Sequence, residues 1–255
     1  MRQDASGTSI LRRNPILNSL LIRKLEQYDR LPDEERQVLE RMVARTAVVS
    51  KGEDMVREGD RPTESTILLT GFAARYNLLR DGKRQITAIH VPGDFVDLHS
   101  FLTKKMDHAV VAITPCTTGM VPHETIRGIS ETHPHLARLL GVSIAVDAAA
   151  HRQWIVAMGR QSALEHTAHL LCELFVRLQS VGLTTDHSFK VPLTQAELGD
   201  ALGLSTVHVN RVLQDLRRDG LITWRGETVV IEDWPGLQQL ADFDPTFLSL
   251  EVEPR

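Results

Sequence analysis

The stretch Leu193 to Ile222, LTQAELGDALGLSTVHVNRVLQDLRRDGLI, fits two short helices joined by a tight turn. Thr194 followed three residues later by Glu197 forms a capping box, in which each side chain satisfies an otherwise orphaned backbone donor. That predicts a first helix over Gln195 to Leu202. Gly203 stops it, because a residue without Cβ enters the left-handed conformation at little cost. Ser205 then caps a second helix from Thr206 to about Arg218. Its apolar positions Val209, Val212, Leu213 and Leu216 are three and four apart and share one face. The other face carries Thr206, His208, Asn210, Arg211, Gln214 and Arg217, which reach base edges or phosphates. Asp219-Gly220 ends the helix, and Leu221 to Ile231 alternates around Arg225-Gly226-Glu227 like a β-hairpin wing. An ordinary αα-hairpin would share the caps. It would not account for small residues Ala196 and Gly199 at the crossing, a basic second helix and a following hairpin together.

The chain as a whole is not a basic nucleic-acid coat: its net charge over 255 residues is −4. The charge is uneven, however. Residues 205–225 hold Arg211, Arg217, Arg218 and Arg225 against only Asp215 and Asp219, whereas Glu26 to Glu64 is rich in acids. A local positive face on an acidic protein suits specific binding, with phosphate contacts confined to one side. Cys116 and Cys172 are the only cysteines, which fits neither a disulfide framework nor a zinc ribbon. The N-terminal MRQDASGTSILRRNPIL lacks a signal-peptide core, and no apolar run has transmembrane length. A cytoplasmic protein without membrane contact is expected, with residues 1–17 as a flexible tail.

Ahead of the two helices, the pattern changes three times. Asn18 to Val43 has helical spacing, with Leu31-Pro32-Asp33 marking a helix start. From Thr46 to about Met120, roughly eight short strands are predicted. Gly52, Gly59 and Gly71 punctuate them, Asp81-Gly82 joins Ala73–Leu79 to Gln85–His90, and Val110 to Met120 reads as the last strand. Such a series closes its edges as a small antiparallel barrel or jelly roll. A short helix, Glu124 to Glu131, precedes a long one, HLARLLGVSIAVDAAAHRQWIVAMG. Between Arg138 and Arg152 that helix has Asp147 as its only formal charge. A helix apolar on nearly every side needs more than one partner; a twofold copy of itself is the economical one. Ser162 to Gln179 reads as an amphipathic helix with His166 and His169 on its surface, and Ser180 to Pro192 as a link.

This order, together with GEDMVREGD, the PGDF turn (Pro92 to Phe95) and the LTQAELGDALGLSTVHVNRVLQDLRRDGLI segment, resembles the Crp/Fnr superfamily of bacterial transcription regulators over about residues 18 to 234. The resemblance implies an α+β architecture. It comprises an N-terminal antiparallel jelly-roll sensor of the cyclic-nucleotide-binding type (18–133), a dimerisation helix (134–160) and a winged helix-turn-helix domain (161–236), then a C-terminal tail (237–255). It implies a homodimer on a twofold-symmetric double-stranded operator, and RNA polymerase as a partner if the protein activates. Candidate DNA-binding residues are Thr194, Gln195, Ser205, Thr206, Val207, His208, Asn210, Arg211 and Arg217. Arg211 matches the family's base-reading arginine, suited to a bidentate contact with guanine. Val207 departs from the glutamate of many relatives and cannot accept from cytosine N4; Asn210 replaces a smaller residue and suits adenine.

The same resemblance argues against two known signals. Aligning on Gly93-Asp94-Phe95 puts Asp97-Leu98 where the cyclic-nucleotide branch has its ribose-binding Gly-Glu, and His108-Ala109 where it has its phosphate-binding Arg-Ser. Cyclic AMP is therefore not expected. The iron–sulfur branch uses an N-terminal cysteine cluster, and residues 1–50 hold no cysteine. No cofactor and no metal are expected. Asp97, His99, Asp107 and His108 remain as a possible effector pocket. They are read either as a hydrogen-bonded set bracing the barrel against the long helix, as contacts to a small-molecule effector, or as metal ligands. Cys116 reads as a small buried strand residue before a redox switch. The leading function is a DNA-binding regulator without enzymatic activity. The alternatives are a metal-dependent cupin-like enzyme fused to a DNA-binding domain, and a ligand-independent regulator controlled by abundance.

Overall fold

The computed structural model describes residues 19–254, so the tail expected at 1–17 lies outside the described residues. The chain divides into two compact units: one built from residues up to 75, 89–144 and 251 onward, the other from 76–88 and 145–250.

The first unit opens with α1 (Ser19–Leu25) and α2 (Asp33–Arg41), whose first turn carries Asp33, Glu34 and Glu35 where the helix dipole favours acids. The strands that follow are β1 (Arg45–Val49), β2 (Asp54–Val56), β3 (Glu64–Thr70), β4 (Ala73–Leu78) and β5 (Arg84–His90), of which residues 76–88 fall in the second unit. A short α3 (Ser100–Thr103) precedes β6 (Ala109–Ala112) and β7 (Cys116–Pro122). They form an antiparallel β1-β7-β3 sheet and a β2-β6-β4-β5 sheet. Val56, Leu68, Ala73, Val96, Met106, Val110, Ala112 and Cys116 form a core cluster. Among the described residues of this region seven strands stand where about eight were expected, and the single strand expected over Val110–Met120 is two. Pro115 separates them: it has no N–H for a ladder, and the chain turns as Ile113 N–H bonds Phe72 O at 2.8 Å.

At Gly71 the turn between β3 and β4 has φ +88°, and a Cβ there would lie 2.6 Å from the Pro115 carbonyl oxygen, so only glycine fits. After β7 come α4 (His123–Thr132) and the long α5 (Pro134–Arg160). Within one chain α5 buries Leu136, Leu139 and Leu140 near its start and Trp154 and Ala157 near its end. No residue from Gly141 to Gln153 is buried.

The second unit contains α6 (Ala163–Ser180), β8 (Ser188–Lys190), α7 (Gln195–Leu202), α8 (Thr206–Arg218), β9 (Ile222–Arg225), β10 (Thr228–Ile231), α9 (Trp234–Ala241) and a 3₁₀ turn at Pro245–Leu248. Helix α6 is not amphipathic in effect: every residue from His166 to Phe175 is buried, because α7, α8 and α9 all pack on it. His166 and His169 are therefore core residues and not surface ones. Glu173, also buried there, is satisfied by Trp154 Nε1–H at 2.7 Å and by Arg177 at 2.8 Å. The link expected at Ser180–Pro192 contains β8, which pairs with β10 and makes the wing a three-stranded β8-β10-β9 sheet.

Of the tail expected at 237–255, residues 237–248 are packed instead. Leu237, Ala241, Phe243 and Leu248 are buried, and the rings of Phe243 and Phe247 lie 5.2 and 6.0 Å from that of His169. Four buried side chains of this size are worth several kcal/mol against leaving them in water, which holds the segment down.

Candidate nucleic-acid interface and sensor cluster

The recognition helix is held by local chemistry that its sequence specifies. Glu197 N–H bonds the Thr194 hydroxyl at 3.2 Å while Thr194 N–H bonds the Glu197 carboxylate at 2.7 Å, closing the capping box on α7. Gly203 stands at φ +69° as the left-handed stop. Ser205 Oγ accepts from His208 N–H at 3.3 Å and starts α8. The two helices approach closely at Gly199: a Cβ there would meet the Leu204 carbonyl oxygen at 2.5 Å. Ala196, expected at the same crossing, is instead exposed. It lies two residues, about 200° around the helix, from the buried Leu198, so it points outward.

Val209, Val212, Leu213 and Leu216 are buried under α8, leaving Ser205, Thr206, Val207, His208, Asn210, Arg211, Gln214 and Arg217 exposed. Gln195 is exposed on the first turn of α7. The exposed residues differ in how committed they are. Thr194 spends its hydroxyl on the cap, and Asn210 Oδ1 accepts from Gln214 at 3.3 Å. Arg217 donates to the Trp224 carbonyl at 3.2 Å and ties α8 to the wing, while Arg218 pairs with Asp215 at 2.6 Å and with Asp219. Arg211 makes no hydrogen bond or ion pair with the described residues, so its whole guanidinium fork is available. Val207 is 73% exposed, an apolar side chain in the middle of a polar face.

In the first unit the four singled-out polar residues part company. His99, Asp107 and His108 come together: one ligand atom from each lies within 4.8 Å of the others, and the two imidazole centroids are 5.0 Å apart. His108 Nδ1 is 2.7 Å from Asp107 Oδ1. Asp97 is elsewhere in role: its Oδ1 accepts from Thr66 N–H at 2.6 Å, locking the segment after the PGDF turn to β3. It does not brace the barrel against the long helix, because its bond partner is a strand amide.

Burial pushes the Asp97 carboxyl up to about 7, against its bond from Thr66 and the charge of Arg75. Burial, with the positive charge of Arg75 and the neighbouring His99, pushes His108 down to about 4, so it is neutral near pH 7. Arg75, on β4 and only 6% exposed, went unnoticed in the sequence. An arginine in a strand usually points to solvent, and only the closed sheet turns this one inward. Burial raises the Cys116 thiol, whose Sγ contacts the Thr114 and Phe72 carbonyls, and pushes Cys172 up to about 12. Neither is an activated thiolate near neutral pH.

Comparison with known proteins joins the two halves. Residues 46–133 match the cyclic nucleotide-binding domain family, and residues 165–240 match the Crp-like helix-turn-helix domain family. The chain is 30% identical over 199 residues to the transcriptional activator protein FnrL of Cereibacter sphaeroides, covering 76% of this chain and 79% of that one. The chain belongs to the Crp/Fnr family. The transcriptional activator protein FnrA of Stutzerimonas stutzeri is 27% identical over 203 residues, covering 80% of this chain and 83% of its own. Among solved structures, FixK2 from Bradyrhizobium japonicum superimposes with a TM-score of 0.70 at 26% identity, over 76% of this chain and 96% of that one. This Crp/Fnr protein is thus a transcription regulator with a sensor-type domain and a DNA-binding helix-turn-helix. Among the described residues no helix is long and apolar enough to cross a membrane.

Proposed function

We propose that this regulator acts as a cytoplasmic homodimer that places two copies of α8 in successive major grooves of a twofold-symmetric operator. The observation that carries the reading is the uncommitted, exposed Arg211 on a capped helix whose opposite face is wholly buried. In this reading Arg211 contacts guanine, and Ser205, Thr206, Val207, His208 and Asn210 complete the reading face. Thr194, Gln195 and Arg217 hold the backbone or the wing at its edge. The dimer is supported by α5: Ile155, Val156 and Met158 are 66, 54 and 45% exposed, and no residue of its middle is fully buried within one chain. The assignment divides the chain into a sensor (18–133), a dimerisation helix (134–160) and a reader (161–236). A signal received among His99, Asp107, His108 and Asp97 shifts the paired helices and the spacing of the readers. RNA polymerase is the further partner at activated promoters.

Selection of bound sequences from a random duplex pool tests this. A symmetric pair of half-sites about one helical turn apart is expected, with a dimer by light scattering. Replacing Arg211 by alanine should cost about 1–3 kcal/mol on the selected site and relax one base position. Unchanged discrimination in R211A, or a monomer on a single half-site, would overturn the reading.

A further inference from the structure

We infer that His99 and His108, with Asp107 as their carboxylate partner, bind a divalent transition-metal ion in the sensor unit. The inference does not depend on how the protein reads DNA. His108 is 5% exposed and its Nδ1 lies 2.7 Å from Asp107 Oδ1. A carboxylate can only accept, so the ring proton sits on Nδ1 and the lone pair on Nε2. That Nε2 is buried and has no hydrogen-bond partner among the described residues. A carboxylate orienting one imidazole nitrogen while the other is left basic is the arrangement that positions metal-bound histidines.

The second imidazole stands at a distance that a shared ion can span. With metal–nitrogen bonds of about 2.0–2.1 Å, each ring centroid stands about 3.2 Å from the ion, and a tetrahedral angle then separates two centroids by about 5 Å. The observed separation of His99 and His108 is 5.0 Å. Asp107 supplies the negative charge of the set, and its side chain is 85% exposed, so the cluster opens to solvent on that side. Two imidazole nitrogen donors suit zinc, cobalt or nickel before magnesium or calcium, which take all-oxygen shells. Water is left to fill the remaining positions.

The test is titration of chelator-stripped full-length protein with Co²⁺, followed by its visible absorption. One equivalent bound, with the intense bands of a low-coordinate site, is expected, and Zn²⁺ should displace it. H108Q and H99Q should each weaken binding at least 100-fold, and D107N about 10- to 100-fold, the range for an orienting partner. Asp107 is exposed, so D107N keeps the test decisive even where H108Q fails to fold. Thermal unfolding of each apo variant identifies such a failure. No Co²⁺ uptake by the wild type, or uptake that H99Q and D107N leave unchanged, would overturn the inference.

Discussion

The reader and the sensor both rest on a handful of polar side chains, but they hold them oppositely. On α8 the polar residues are exposed and the apolar ones buried, with a strict helical period. In the sensor, Arg75, Asp97 and His108 are themselves buried and drawn from three separate segments of chain; burial raises the Asp97 carboxyl and lowers the His108 imidazole, and the charge of Arg75 acts on both. A surface built to meet a polyanion keeps its charges solvated until the partner arrives. Buried charges lie instead in low dielectric, where each added charge or proton has a large effect.

The backbone of the reader is the most sensitive place to break this contrast. Gly199→Ala puts a Cβ at 2.5 Å from the Leu204 carbonyl oxygen, which cannot move without parting α7 from α8. A loss of about 3 kcal/mol is expected, read by calorimetry as a lowered transition with DNA binding lost alongside. An unchanged transition would mean the helices do not need their close approach.

Acid should strike the same unit through its core. Burial pushes His166 down to about 4 from an ordinary 6.5. The folded state therefore binds fewer protons than the unfolded one. Its contribution is complete above about pH 6.5 and is lost as pH falls towards 4, by up to about 3 kcal/mol. His166→Phe should flatten that part of the stability profile; a profile as steep as wild type's would remove His166 as the cause.

The smallest effect is the most specific. Val207→Glu, at a 73% exposed position, leaves the fold alone and restores an acceptor suited to cytosine N4. Stability should stay within about 0.5 kcal/mol, while the preferred base at one operator position changes by about 1–3 kcal/mol. A selected operator identical to that of wild type would show that Val207 does not face the bases.

The contrast also explains what could be read in advance. Helices α7 and α8 start and stop at the residues their caps and glycine dictate, because capping is decided within four or five neighbours. Arg217 was legible as exposed but not as a tie to the Trp224 carbonyl, which depends on where the wing lies. Strand β8 was missed because three residues are too few for an alternating pattern to stand out, and β10 supplies its pairing. His166, His169 and the segment after Leu237 were misjudged together, since each covers the other and neither is apolar enough to announce it.

The sequence alone therefore determined the reader: a capped, amphipathic helix with arginine at its exposed edge needs only short-range hydrogen bonds and a 3.6-residue period. It also determined the order of parts that marks a Crp/Fnr protein. Tertiary structure decided the sensor. Which of Asp97, His99, Asp107 and His108 meet, and that Arg75 joins them, depends on two sheets closing over residues far apart in the chain. Burial, which sets the chemistry of Asp97 and His108, exists only once that closure is made.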